Sequence, residues 1–311
     1  MPIIPRIFGG AAALVAAIGM LLVTNTTAAL AYQLGTIGYD ISYPQCGSAY
    51  PTSSGSFRAA PPTASATPSW RGRMAVVASV APPPATTATR TTPVPQGVSG
   101  GFSRSFGIIG VDSGNPFISA THPGNPCLAD EYSKTPKPAL YVNTGYDPSY
   151  LDANHTLPDC TMKSGNVSGS DAQKKAWAVG CSEAEKDLAY VTSQGITNTG
   201  GWWLDVETGN SWCGRPGTLC SDLTLNQYSI QGLMDTVLAG GATPIGIYSN
   251  KYMWNAIVGT NSVHGQRADW YATGTGTAQA AAPYCASSNS FTGDPVKLAQ
   301  YVNGFDYDYA C

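Results

Sequence analysis

Charge is scarce in this chain. Only 11% of its 311 residues are Asp, Glu, Lys or Arg, and no basic block occurs. A nucleic-acid partner, which calls for a dense cationic face, is thereby excluded. Histidine is scarcer still. His122, His155 and His264 stand apart without metal-ligand spacing and read as solvated loop residues. The paired C-x2-C spacing of structural zinc is absent too, so no metal or cofactor is expected. No G-x-S-x-G stands near a strand end, which argues against a serine-nucleophile hydrolase. Beyond the N-terminal region no apolar run approaches the ~20 residues of a bilayer span.

The N-terminal region has a different character. Arg6 is the sole charge before residue 32, an apolar run covers Phe8 to Val23, and Ala29-Leu30-Ala31 fits the A-x-A rule. This pattern predicts a signal peptide over residues 1–31, with export of residues 32–311. Removing Arg6 takes the net charge from −3 to −4. The eight cysteines, Cys46, Cys127, Cys160, Cys181, Cys213, Cys220, Cys285 and Cys311, are an even set in an oxidising compartment and predict four disulfides. Proximity suggests Cys160–Cys181, Cys213–Cys220 and Cys285–Cys311, leaving Cys46–Cys127, although eight cysteines allow on the order of a hundred pairings. A secreted monomer is expected.

Residues 51–101 are dominated by Pro, Ala, Ser and Thr, as in Pro82-Pro83-Pro84. Such a stretch buries too little apolar surface to offset its ordering entropy and reads as a disordered insertion within one domain. Elsewhere short apolar runs alternate with helical patterns. The runs predict strands at Ile37–Ile41, Phe106–Val111, Ala139–Asn143, Trp202–Val206, Pro244–Tyr248, Asp269–Ala272 and Lys297–Val302. Ser182 followed by Glu185 reads as a capping box opening a helix that runs to Gln194 and stops at Gly195. Ile230, Leu233, Met234, Val237 and Leu238 form one stripe on a helix over about Leu225 to Ala239, and a third helix follows Asn250. Seven or eight strands alternating with helices in one domain favour an α/β barrel.

The segment Trp202-Trp203-Leu204-Asp205-Val206-Glu207 is an apolar strand ending in two carboxylates at i and i+2. Alternation puts Asp205 and Glu207 on one face. Their place at the C-terminal end of a barrel strand is where such enzymes keep their chemistry. Two crowded acids raise one pKa and create a proton donor beside an ionised partner, the division of labour that glycoside hydrolysis needs.

In this setting the chain resembles glycoside hydrolase family 25, the lysozyme-type muramidases. The segments that carry the resemblance occur in order: Gly38-Tyr39-Asp40-Ile41-Ser42, Phe106 to Val111, Trp203 to Glu207, Pro244-Ile245-Gly246-Ile247-Tyr248-Ser249, Asp269-Trp270-Tyr271-Ala272, and Gln300-Tyr301 followed by Phe305-Asp306-Tyr307-Asp308. The resemblance implies an irregular TIM-like (β/α) barrel of the glycosidase type, with fewer helices than strands, that cleaves a cell-wall polysaccharide such as peptidoglycan. It implies Glu207 as the general acid. Asp205 would steady the transition state or orient an acetamido group, and Asp40 and Asp306 would line the same cleft, with Asp308 an alternative to Asp306.

Two strands depart from the family pattern. The second continues as Gly110-Val111-Asp112-Ser113-Gly114, without the family's usual lysine and with Asp112 bringing different chemistry, and the third reads Leu140-Tyr141-Val142-Asn143-Thr144. Tyr43, Tyr141, Tyr248 and Trp270 lie at or near strand ends, where aromatic faces could stack on sugars, and Asp112 and Gln300 join them as candidate substrate contacts. The altered strands keep a second possibility open, an inactive barrel that binds glycan or serves at the cell surface. Deleting residues 55–98 is expected to leave the thermal melting temperature nearly unchanged, since the insertion's composition gives it little to pack; a large drop in the melt would overturn this expectation.

Overall fold

A computed structural model describes residues 32–47, 104–114, 118–119, 122–197, 201–213 and 221–311. The leader expected over residues 1–31 and the insertion at 51–101 lie outside these described residues. Eight strands close into a barrel in sequence order: β1 (Ile37–Ile41), β2 (Arg104–Gly110), β3 (Pro138–Asn143), β4 (Trp202–Asp205), β5 (Ile245–Ser249), β6 (Asp269–Thr275), β7 (Val296–Val302) and β8 (Asp306–Ala310). Pairing is parallel from β1 through β7. The eighth strand runs antiparallel to both of its neighbours, β7 and β1, and closes the barrel.

Strand alternation divides the apolar residues into two layers. Phe106, Ile108, Trp203, Trp270, Leu298 and Ala310 fill the barrel interior. Ile109, Leu140, Trp202, Leu204, Ile245 and Ile247 face outward into the layer shared with the helices. The adjacent Trp202 and Trp203 therefore serve different cores. The interior is tight: a Cβ at Gly246 would lie 2.2 Å from the Trp203 ring, so glycine is what lets that indole in.

The described helices are α1 (Leu128–Lys134), α2 (Pro158–Ser164), α3 (Asp171–Ser193), α4 (Leu223–Ala239), α5 (Lys251–Ile257) and α6 (Ala278–Ala281). Asn250 caps α5 by accepting from the Met253 amide at 2.9 Å, and the stripe of α4 is buried at Ile230, Leu233, Met234 and Val237. The start expected at Ser182 is wrong. The helix begins at Ser170, whose extended backbone and reciprocal pairing with Gln173 make the true capping box. Ser182 lies mid-helix, donating to the Ala178 carbonyl and accepting from the Leu157 amide. An S-x-x-E spacing marks a start only where the serine backbone leaves the helical region. Among the described residues no helix is long and apolar enough to cross a membrane.

Disulfides join Cys46 to Cys127, Cys160 to Cys181 and Cys285 to Cys311. They clip the loop after β1 to the start of α1, α2 to α3, and the segment before β7 to the residue after β8. Cys213 is also disulfide-bonded, and its expected partner Cys220 lies outside the described residues.

Helices α3 and α4 cross backbone to backbone at two glycines. A Cβ at Gly232 would stand 2.0 Å from the Trp177 carbonyl oxygen, and one at Gly180 1.8 Å from that of Ser229. Neither carbonyl can move without breaking its helix. Gly232→Ala is therefore expected to destabilise the protein by about 1–3 kcal/mol or more, lowering the melting temperature by several degrees. Gly276→Ala, where the nearest atom is 3.7 Å away, is the control that should not.

Candidate functional site

Strand β4 ends at Asp205 because the chain turns there. Asn210 donates its amide to the Glu207 carbonyl at 3.1 Å and its carboxamide to the Asp205 carbonyl at 3.1 Å. The buried Trp212 indole donates to the same Glu207 carbonyl at 2.8 Å. These bonds pin the backbone of both acids while their side chains stay on the inward face shared with Trp203. Asp205 is 6% exposed and Glu207 is more open, at the mouth.

Two further acids arrive from strands that neighbour one another. Asp40 sits near the end of β1 and accepts from the Gln300 carboxamide at 3.0 Å. Gln300 in turn accepts from the Tyr248 hydroxyl at 2.7 Å. The antiparallel run of β8 puts Asp306 at the mouth and Asp308 one layer deeper, where it accepts from the Trp270 indole at 2.7 Å. Asp40, Asp205, Glu207 and Asp306 all line one cleft of about 640 Å³, with Tyr43, Tyr141, Tyr248, Trp270 and Gln300 around them. That volume suits a small ligand or a stretch of a longer one.

The aromatic candidates differ in what they offer. Tyr43 is 42% exposed on the rim. Trp270 is buried, packed edge-on against Tyr248 at 4.6 Å and Trp203 at 5.6 Å, and forms floor rather than platform. Gln300, expected to touch substrate, is also the bracket for Asp40. Asp112 does not line the cleft: its carboxylate is buried beneath, accepting from the backbone amides of Asn143 at 2.7 Å and Gly114 at 3.3 Å. The reason is local, because the chain leaves β2 there in a tight turn with Ser113 at φ 58°.

Asn143 was missed in the sequence. It lines the cleft and donates its carboxamide to Asp205 at 2.6 Å. Alternation could have found it, since it lies two positions after Tyr141 on the same predicted strand.

Burial raises the pKa of every carboxyl in the cleft, and their neighbours in charge are mainly other acids. Asp205 is raised well above the usual range by burial, then by Glu207, Asp112 and Asp40, against the Asn143 bond that lowers it. Asp40 is raised likewise, by burial and then by Asp308 and Asp306. Glu207 is raised by burial and by Asp306, and Asp306 by burial. Asp205 is the deeper of the D-x-E pair, so solvation alone does not keep it ionised beside a protonated Glu207. The Asn143 carboxamide is the one bond that favours its ionised form.

Among the described residues, Cys160, Cys181 and Glu185 are the one group close enough to share a metal ion, and both sulfurs are bound in a disulfide. The histidines lie away from the cleft lining.

No protein-family model matches the chain, and no curated protein matches it. Among solved structures the chain is similar to a glycosyl hydrolase 25 of Streptococcus pneumoniae, described as a virulence factor participating in host cell invasion. The identity is 16%, over 68% of this chain and 78% of that one, with a TM-score of 0.39. A likeness this distant bears on neither activity nor individual residues.

Asp308 makes the electrostatics testable without a substrate. Burial holds its pKa well above the usual range, partly offset by the Trp270 bond. A carboxyl raised on folding contributes stability that is fully present below its unfolded pKa of about 4 and is lost as pH rises through the folded value. Asp308→Asn keeps an acceptor for Trp270 and removes the titration. Its melting-temperature advantage over the native protein should grow from about pH 4 to about pH 8. A constant difference would show that Asp308 does not titrate differently on folding.

Proposed function

We propose that this protein is a secreted glycoside hydrolase that cleaves cell-wall polysaccharide, with peptidoglycan as the substrate class and a muramidase-like reaction. The observation that carries the reading is the convergence of Asp205, Glu207, Asp40 and Asp306 at the mouth of a closed barrel over an aromatic floor. A glycosidic bond breaks when its oxygen is protonated and the cation-like ring left behind is met by an anion. Glu207, the more open acid with a raised pKa, is suited to donate that proton. Asp205, fixed by the Asn143 carboxamide, is suited to face the developing positive charge or the substrate's acetamido group. Burial and, after it, the neighbouring Asp306 raise the pKa of Glu207 and so favour its proton-bearing form.

The test is turbidity loss of purified cell walls. Glu207→Gln is expected to lower the rate by about 10²–10⁴ while leaving the fold nearly intact, because the amide is isosteric with the protonated acid that it replaces. Asp205→Asn should also be severely impaired. The rate should peak on the acidic side of neutrality. It falls at high pH as the coupled Asp205–Glu207 pair loses the proton it donates, and at low pH as the pair loses its remaining negative charge. A native protein that binds cell walls without clearing them would establish the inactive glycan-binding barrel instead.

A further inference from the structure

The third strand has an unusual last bond. In a parallel ladder the amide two residues beyond a bonded carbonyl returns to the neighbouring strand. Here the Val111 amide donates to the Tyr141 carbonyl at 3.0 Å, so the Asn143 amide would be expected to return to the Val111 carbonyl. That carbonyl is already taken by the Asn125 amide at 2.7 Å, and the Gly110 carbonyl before it accepts the Asn125 carboxamide at 2.8 Å. The side chain of Asp112 fills the vacancy, accepting the Asn143 amide at 2.7 Å on one oxygen while its other oxygen holds the Gly114 amide. Asp112 is 1% exposed and does not itself line the cleft, although the two residues whose amides it accepts do. On the other side of Asn143 its carboxamide grips Asp205 at 2.6 Å, and the next amide, that of Thr144, donates to the Asp205 carbonyl at 3.1 Å.

We propose that Asp112 is a positioning residue for the cleft: by replacing the lost ladder acceptor it fixes the backbone of Asn143, and through the Asn143 carboxamide it aims and holds the Asp205 carboxylate. The proposal rests on the reading of Asp205 as a working group of the site. It assigns Asp112 a different task from substrate contact, and it explains why an acid occupies this turn. Two converging amides need two acceptor oxygens, which Ala lacks and Asn supplies only once.

The experiment compares the native protein with Asp112→Ala, Asp112→Asn, Asn143→Ala and the Asp112→Ala/Asn143→Ala pair. Two readouts are taken, kcat and KM on cell-wall glycan and the NMR resonances of the Asn143 carboxamide. A displacement of about 1 Å at a working group costs roughly a hundredfold in rate. Asp112→Ala is therefore expected to lose about that factor in kcat with KM little changed, and Asp112→Asn to recover part of it. In the Asn143→Ala background the Asp112 substitution should cost nothing further, since it acts through the missing side chain. The Asn143 carboxamide resonances should shift in Asp112→Ala as they do in Asp205→Asn. Losses that add in the double variant, or carboxamide resonances unchanged by Asp112→Ala, would overturn the proposal. Should Asp112→Ala fail to fold, Asp112→Asn carries the same spectral comparison. If the native protein clears no glycan, the functional reading falls, and the carboxamide resonances alone decide whether Asp112 positions Asn143.

Discussion

The edge-on contact between Trp203 and Trp270 inside the barrel is what the rest of the structure is built around. The two indoles, 5.6 Å apart, fill the interior layer, and strand alternation sets the next inward position of each strand above them, toward the mouth. On β4 that position is Asp205, and Glu207 follows two residues later. The same packing binds the indole of Trp270 to Asp308, tying the floor of the cleft to the strand that closes the barrel. A smaller pair of rings would leave room for water below the acids, and water would screen their mutual repulsion. Close packing beneath the cleft is thus an electrostatic device as well as a source of stability.

Charge is handled sparingly throughout. The ion pairs among the described residues, Lys134–Asp130, His155–Asp152 and Lys163–Glu185, lie away from the cleft. Buried carboxyls are answered instead by neutral donors: Asn125 for Glu131, Asn143 for Asp205, Gln300 for Asp40 and Trp270 for Asp308. Glu183 and Asp187, one turn apart on α3, have no hydrogen-bond partner for either carboxyl, and burial raises both pKa values well above the usual range. Neutral donors orient a carboxyl without cancelling its charge, so protons do what cations would otherwise do. The 11% charged composition has here a structural counterpart.

Much of this architecture was legible in the sequence, and the misses have physical causes. Strands β1 to β5 announce themselves as short apolar runs because most of their residues are buried on both faces, whereas β6 is buried only at Asp269 and Trp270. The eighth does not: Asp306-Tyr307-Asp308-Tyr309 alternates acids with tyrosines, and aspartate is depleted in strands. It is a strand because its acids face the mouth and interior while Tyr307 packs against Tyr301. The D-x-E pair was readable because period two is a property of the backbone. The task of Asp112 was not, since it depends on Asn125 having taken the Val111 carbonyl, a contact between loops that no local pattern encodes. The helix start at Ser170 was obscured by an equally good spacing at Ser182, and only tertiary packing chooses between them.

The antiparallel closure by β8 has a consequence in time. Asp40 comes from the first strand and Asp306 from the eighth, and the two meet across one seam of hydrogen bonds that pairs Tyr39 with Tyr307 and Ile37 with Tyr309. Until that seam zips, the four acids of the cleft belong to an open sheet and no pocket exists. A chain that has not yet placed β8 lacks Asp306 and the edge that pairs beside Asp40, so the lining of the cleft is incomplete. The lining is complete only once β8 has paired with β1, so closure of the barrel and completion of the cleft are one event.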